Sequence, residues 1–250
     1  MRALITGATG GMGQAFATLL ARQGIDLVLT GRNVKKLKQM QTNLHTDVQI
    51  IPADLSNIAE CYDLYEKLKQ KNINIVINNA GVGVVGMFWE TDCKKELDML
   101  ALNVQAVHIL TKLFLKDFRK RNYGYILNVA SSAGFTAGPC MASYYAGKSY
   151  VLRLTQAIAE ELRQEKSRVQ VCVLCAGPVD TGFNHNAAAV SAVKGISPQK
   201  AAKEGLKGLF GGKTVILPDS TTKLVYIMQK YLPMHIVTAC NYHIQKRKRS

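Results

Sequence analysis

From the N-terminus, short runs of continuously apolar, largely β-branched residues alternate with longer stretches of helical period, and the alternation holds almost to the C-terminus. Strands are expected near 2–6 (Arg-Ala-Leu-Ile-Thr), 25–30, 48–51, 73–78, 125–130, 168–174 and 213–217. Helices are expected near 11–23, 33–44, 56–71, 92–121 with a break, 143–166 and 198–210. A sheet open to water on one face would show alternating apolar and polar side chains; these runs do not alternate, so both faces are covered. That pattern specifies an α/β chain with a doubly wound parallel sheet. No repeat, low-complexity linker or composition shift divides the 250 residues. One domain is therefore expected over 1–219, followed by an amphipathic, basic extension over 220–250 that packs on it or stays free.

No run approaches the roughly eighteen consecutive apolar residues of a membrane-spanning helix, and the opening Ala-Leu-Ile is too short for a secretory signal, so the expected location is cytoplasmic. Six cysteines at 61, 93, 140, 172, 175 and 240 lack the density of a disulfide framework, in keeping with a reducing compartment. Cys172 and Cys175 form a CxxC, but inside a strand residues three apart point to opposite faces, which argues against a shared metal. No metal site is expected. The formal charge of +15 raises nucleic acid or an anionic surface as a partner. Part of the excess is terminal, however: after Asp219 there is no acid, while Lys223, Lys230, Lys246, Arg247, Lys248 and Arg249 are basic. A solvated tail is the preferred reading, and no nucleic-acid partner is expected.

Thr6-Gly7-Ala8-Thr9-Gly10-Gly11-Met12-Gly13 joins the first strand to the first helix, where a glycine-rich turn lets backbone N–H groups and a helix N-terminus approach a pyrophosphate. Two stretches that end like a nucleoside-triphosphate loop, at 208–214 and 147–149, lack the glycine five residues before their Gly-Lys pair. The second strand ends in Thr30-Gly31-Arg32-Asn33. A carboxylate there would accept from an adenosine 2′-hydroxyl and repel a 2′-phosphate; Arg32 does the opposite, which favours NADP(H) over NAD(H).

A tyrosine and a lysine four apart on a helix share a face, and the ammonium favours ionisation of the phenol. Four such pairs occur: Tyr65 with Lys69, Tyr144 with Lys148, Tyr226 with Lys230, and Tyr242 with Lys246. Spacing alone does not choose among them. Tyr144 opens the long helix after the fifth strand, and that strand ends in Asn128-Val129-Ala130-Ser131-Ser132, which brings a hydroxyl to the carboxyl edge of the sheet.

With these features the chain resembles the short-chain dehydrogenase/reductase family from the first strand to about residue 217. The resemblance implies a single Rossmann-like domain and a serine thirteen residues before the tyrosine that binds the reacting oxygen. Ser131 stands there for Tyr144, whereas the other tyrosines have Pro52, Lys213 and Gln229. It also implies that Thr6-Gly7-xxx-Gly11-x-Gly13 is the cofactor turn, including Ala8, Thr9, Gly10 and Met12, and that Asp54-Leu55 meets the adenine. Asn78-Asn79-Ala80-Gly81 would support the sheet and the cofactor, Asn103 would complete the active site by positioning a relay water, and Val179 and Thr181 in Gly177–Thr181 would contact the nicotinamide. The chain departs from the family in having Ala176-Gly177 where Pro-Gly is usual. The implied catalytic set is Asn103, Ser131, Tyr144 and Lys148, with Tyr144 and Lys148 also touching the cofactor. Tyr145, one residue on, is expected to pack. A free tyrosine titrates near about 10. An ammonium about 4 Å away at an effective dielectric near 20 is worth roughly 4 kcal/mol, or up to about three pKa units before desolvation opposes it, so Lys148 alone is expected to supply the shift toward neutrality.

Met87, Phe88, Trp89, Phe135, Met141 and Phe183 follow strand ends and are expected to ring the mouth, so the substrate is a hydrophobic carbonyl or alcohol such as a ketosteroid or a 3-ketoacyl compound. Gly182–Gly195 lacks a clear period and is read as a lid or a plain connection, with His185 a bystander in it. Lys223–Ile244 alternates apolar residues and lysines. It packs on the domain or a partner subunit in the preferred reading and lies in a membrane interface in the other. The resemblance implies a homo-oligomer through the helices near 92–121 and 143–166. An NADP(H)-dependent ketone–alcohol oxidoreductase, with reduction as the favoured direction, is thus the leading expectation. A non-catalytic NADP(H)-binding regulator with a membrane- or nucleic-acid-binding tail is the alternative.

Overall fold

A computed structural model of the chain describes residues 1–181 and 195–246. The stretch expected as a lid lies almost wholly outside them, with Phe183 and His185, as does the end of the basic tail from Arg247. Among the described residues seven strands, β1 (Arg2–Ile5), β2 (Asp26–Gly31), β3 (Val48–Pro52), β4 (Ile75–Asn78), β5 (Tyr125–Val129), β6 (Gln170–Leu174) and β7 (Val215–Ile216), form one sheet in the order β3-β2-β1-β4-β5-β6-β7. Every pairing is parallel. The order reverses between β1 and β4, and the crevice at the carboxyl ends of those strands is where such sheets hold ligands.

Helices α1 (Gly11–Ala21), α2 (Val34–Asn43) and α7 (Pro198–Phe210) cover one face, where Phe16, Leu20, Leu37 and Leu206 pack on Ile5, Leu29, Leu127 and Leu174. Helices α3 (Ile58–Leu68), α5 (Ala106–Arg121) and α6 (Ala142–Gln164) cover the other, where Leu64, Leu110, Phe114 and Leu162 meet Leu4, Val28, Val76 and Ile126. Alternate residues of each strand thus go to opposite cores, which explains the unbroken apolar runs. Cys172 joins the first core while Cys175 lies with Val173 on the opposite side, so the CxxC does not converge. Side-chain caps start several helices where expected: Asn33 Oδ1 accepts from Lys36 N, Asp92 Oδ1 from Lys95 N, and Ser197 Oγ from Lys200 N ahead of Pro198.

The long helix expected over 92–121 is α4 (Cys93–Leu100) and α5 joined by one wide turn of π-helix, Ala101–Gln105. By length and composition Cys93–Arg121 is the one described helix apolar enough to cross a membrane, yet its Leu110, Phe114 and Phe118 are buried against the sheet. A 3₁₀ turn, Ser132–Phe135, follows β5. Beyond β7 the chain forms α8 (Ser220–Met228) and α9 (Met234–Lys246). Both touch the domain: Tyr226 stacks edge-on against Phe135 with centroids 4.9 Å apart, Asn241 Nδ2 donates to Ala137 O at 2.8 Å, and Gln245 Nε2 donates to the Tyr145 hydroxyl at 2.6 Å.

A polar chain runs through the apolar interior. Asn78 Nδ2 donates to Asn128 Oδ1 (2.8 Å) and Thr111 Oγ1 (3.1 Å), Thr111 Oγ1 donates to Asn128 Oδ1 (3.1 Å), and Asn128 Nδ2 donates to Thr155 Oγ1 (3.0 Å). It crosses from β4 and β5 to both α5 and α6.

Candidate active site

At the β1–α1 turn Gly7 has φ +60°, and a Cβ there would lie 2.7 Å from Ala80 Cα, so glycine is required. A Cβ on Gly13 would collide with the Gly7 carbonyl oxygen. The turn is tied to the end of β4: the Thr6 hydroxyl accepts from Asn79 N and Ala80 N, both at 2.9 Å, while Asn79 Nδ2 donates to Thr6 O (2.9 Å) and Gly7 O (3.1 Å). Thr6 is a positioning residue that the motif contained without a role. Gly10 caps α1 without a side-chain bond, which leaves the helix N-terminus open to an anion. A Cβ on Gly11 would lie 2.9 Å from Thr181 Cγ2, and one on Gly31 3.6 Å from Thr9 Oγ1. The fold therefore brings the Val179–Thr181 loop and the end of β2 to this turn. Val179 bridges Ile196, and Asp180 N bonds Ile196 O at 3.0 Å.

Not every residue assigned to the cofactor presents its side chain. Met12 packs on the first core and Leu55 is buried in the second, so each can offer only backbone. Arg32 is exposed and sits 3.9 Å from Asp54 Oδ2. Burial raises the Asp54 carboxyl, but bonds from the Ser56 hydroxyl (2.7 Å) and Ser56 N (3.1 Å), with the Arg32 charge, leave it below the usual carboxylate value. The bare helix end and the glycine-lined turn fit the pyrophosphate of a dinucleotide; Arg32 and Asp54 fit its adenosine end.

Tyr144 and Lys148 are 8% and 5% exposed, and this separates them from the other three tyrosine–lysine pairs, in which every lysine is exposed. Tyr65 instead donates to Asp117 Oδ2 at 2.7 Å. Lys148 Nζ donates to Val129 O at 3.0 Å and lies 5.8 Å from the Tyr144 ring centroid. The Ser131 side chain accepts from Ala133 N at 3.1 Å, starting the 3₁₀ turn, and is hydrogen-bonded to the Tyr144 side chain. Asn103, in the π turn, is held by both backbone groups of one residue: Oδ1 accepts from Val82 N at 3.0 Å and Nδ2 donates to Val82 O at 2.8 Å. A Cβ on Gly81 would stand 3.1 Å from Asn103 Oδ1 and 3.5 Å from Lys148 Nζ, so the amide and the ammonium converge on the space glycine leaves bare. All four residues assigned to catalysis meet at one edge of the sheet.

The electrostatics differ from the expectation. Burial pushes the Tyr144 phenol up to about 12, and the Ser131 bond lowers it only in part; burial pushes the Lys148 ammonium down to about 8. Lys148 does not bring the phenol to neutrality by itself. Its charge is desolvated and directed at Val129 O, and removing water from a buried phenolate outweighs the attraction.

Around Tyr144 pack Met99, Ala133, Met141 and Tyr145, with Val82, Val84 and Val85. Phe135 belongs to a different cluster with Val151 and Tyr226; it is core and does not ring the mouth, because the 3₁₀ turn rolls it inward. Phe88 and Trp89 are exposed. Tyr145 packs as expected, with its ring where a Gly138 side chain would be. The contacts of Asn241 and Gln245 were not anticipated; only a buried polar side chain at the end of an amphipathic segment signals them. Among the described residues no three of His, Cys, Asp and Glu converge as metal ligands.

Residues 1–192 match the family model for short chain dehydrogenases. An uncharacterised oxidoreductase of Staphylococcus aureus (strain USA300) is 31% identical over 228 residues, 89% of this chain and 96% of the relative. Among solved structures, a short-chain dehydrogenase from Sphingobium yanoikuyae in complex with NADPH superposes with a TM-score of 0.84 at 26% identity, covering 92% of each chain. A short-chain dehydrogenase/reductase from Burkholderia phymatum in complex with NAD does so with a TM-score of 0.82 at 25% identity, covering 90% of this chain and 91% of that one. The chain belongs to the short-chain dehydrogenase/reductase family of oxidoreductases.

Proposed function

We propose that the chain interconverts a ketone and a secondary alcohol with NADP(H), working mainly as a reductase on a hydrophobic small molecule such as a ketosteroid or a 3-ketoacyl compound. The observation that carries this reading is the convergence of a buried tyrosine, a buried lysine, Ser131 and Asn103 beside a glycine turn that leaves a helix N-terminus bare. The dinucleotide, when bound, supplies or takes the hydride at the carbonyl carbon. Gly7–Gly13 with the first turn of α1 would hold its pyrophosphate, Arg32 and Asp54 its adenosine end, and Asn79, Val179, Thr181, Tyr144 and Lys148 its nicotinamide end.

The protein's own groups then have separate tasks. Tyr144, protonated across the physiological range, enters the reduction carrying the proton that the substrate oxygen receives. Ser131 donates a hydrogen bond to that oxygen. Lys148, still largely an ammonium at neutral pH, supports the phenolate as it forms and not before. Asn103, held by Val82, positions a water that returns the proton. The valines and methionines about Tyr144 exclude bulk water and favour an apolar substrate.

NADP(H) is assigned from Arg32, which directly follows β2 and offers a guanidinium to a 2′-phosphate at the position where an acid would repel it. A cytoplasmic location is supported by the six free cysteines. A homo-oligomer through the α4–α5 helix and α6 is supported by exposed Leu97 and Tyr150 on those helices.

Tyr144→Phe is expected to lower turnover by about a thousandfold or more while NADPH binding, followed by its fluorescence, persists; near-normal activity would refute the mechanism. Arg32→Ser is expected to weaken NADPH by about tenfold and leave NADH unchanged, the size of one charged hydrogen bond. Equal kcat/KM for NADH and NADPH in the unaltered protein would remove the cofactor assignment.

A further inference from the structure

Helices α8 and α9 bury the wrong side chains for a soluble domain. The buried residues of the pair are Thr222 and Gln245, both polar. Tyr226 packs on Phe135 and Val237 is half-buried, but most of their large apolar residues point outward: Leu224 is 57% exposed, Ile227 53%, Met234 52% and Ile236 44%, and Tyr231 in the connection between them is 81% exposed. An amphipathic surface helix ordinarily turns its apolar stripe to the core. Large apolar residues left exposed along two consecutive helices mark a surface that something else covers.

The reversal is fixed by the polar anchors. Thr222 Oγ1 bonds Asp219 Oδ2 at 2.7 Å and stands 3.0 Å from where a Cβ of Gly177 would be. Asn241 and Gln245 hold α9 to Thr136, Ala137 and Tyr145. With these contacts made, the opposite sides of both helices cannot reach the domain. The same rim carries a second exposed apolar element. Gly86 N bonds Cys140 O at 2.9 Å, and Cys140 Sγ lies 3.7 Å from Met87 Sδ, so the loop bearing exposed Phe88 and Trp89 abuts the 136–141 segment that holds α9. Trp89 is the chain's single tryptophan and is 79% exposed.

The charge of the segment selects the occupant. From residue 220 onward there is no acid, and six lysines and arginines stand among or just after the apolar residues, four of them consecutive at 246–249. A second copy docked on this face by two-fold symmetry would set each basic set against its twin, whereas an anionic bilayer takes up both the apolar stripe and the charge. We infer that the α8–α9 face, with Phe88 and Trp89 at its side, is a docking surface for an anionic lipid bilayer, on which the protein lies peripherally. This goes beyond the assigned reaction and stands or falls without it, because docking is read with no turnover.

The test is flotation of the full chain with vesicles of phosphatidylcholine alone and with about one third phosphatidylglycerol. Binding to the mixed vesicles is expected to be at least about tenfold stronger and to weaken in molar salt. The double variant Leu224→Glu, Ile227→Glu should lose about a hundredfold in partitioning, since two apolar side chains no longer leave water. Its far-UV circular dichroism and NADPH binding should stay those of the parent. No preference for anionic vesicles, or a double variant that binds as well as the parent, overturns the inference. So does a lipid-free dimer, seen by light scattering, that the double variant converts to monomer, because the face then belongs to a second copy.

Discussion

Helix α1 buries Phe16, Ala17 and Leu20 completely against the sheet, while α8 and α9 bury Thr222 and Gln245 and leave Leu224, Ile227 and Ile236 in solvent. Both regions are amphipathic, and both touch the reaction site, α1 through the glycine turn and α9 through Gln245 on Tyr145. The difference is in which face the domain claims. At α1 apolar contact orients the helix and polar backbone is left for the ligand. At α8 and α9 polar contacts, with Tyr226 on Phe135, orient the helices and most of the large apolar surface is left over. The first arrangement stabilises the fold by burial; the second holds a surface ready at the expense of burial.

That contrast is open to measurement. The largest effect is expected for Phe16→Ala, which empties the best-packed part of α1 and should destabilise by about 3–5 kcal/mol, lowering the thermal midpoint by about 10 °C. A loss under about 1 kcal/mol would mean that α1 is not held by its apolar face. Next is Lys148, which shows what a buried charge does between the two regions. Its native value of about 8 lies below the unfolded 10.5, so between those values the unfolded chain holds a proton that the native protein has released. Stability should therefore rise with pH across that window, by about 3 kcal/mol relative to Lys148→Met, and be flat below it. Thermal melts of both proteins at neutral and alkaline pH decide; a constant difference would place the ammonium in water. The smallest effect is expected for Leu224→Gln, within about 0.5 kcal/mol of the parent by denaturant titration, because an exposed side chain is already solvated. A loss comparable to that at Phe16 would erase the contrast.

The same contrast explains what was legible in the sequence. The strands could be read because both of their faces are buried, and an unbroken apolar run such as Ile-Val-Ile-Asn at β4 has few other uses. Helix periodicity located α1 and α6 within a few residues. It also marked 223–244 as amphipathic, but a period does not say which medium the apolar stripe meets, so the outward face of α8 and α9 could not be foreseen. Tyr144 was selected among four equal pairs by Ser131, and burial of both Tyr144 and Lys148 makes the same choice on physical grounds. The titration of the tyrosine follows the same rule: spacing reveals the neighbouring ammonium and that desolvation opposes it, but not how much water both groups lose. The inward roll of Phe135 depends on a short 3₁₀ turn, which has no sequence period of its own.

The buried chain of Asn78, Thr111, Asn128 and Thr155 bears on how sharply the site is defined. Thr111 lies two helical turns beyond Asn103, Thr155 two turns beyond Lys148, and Asn128 three residues before Ser131. A slip of α5 or α6 by one residue would turn its contact face by about 100°, and apolar side chains alone tolerate modest versions of such rolling. Directional bonds do not. The network therefore sets the rotational phase of both helices against β5, so that an amide, a hydroxyl and an ammonium carried on three separate elements arrive together at the carboxyl edge of the sheet.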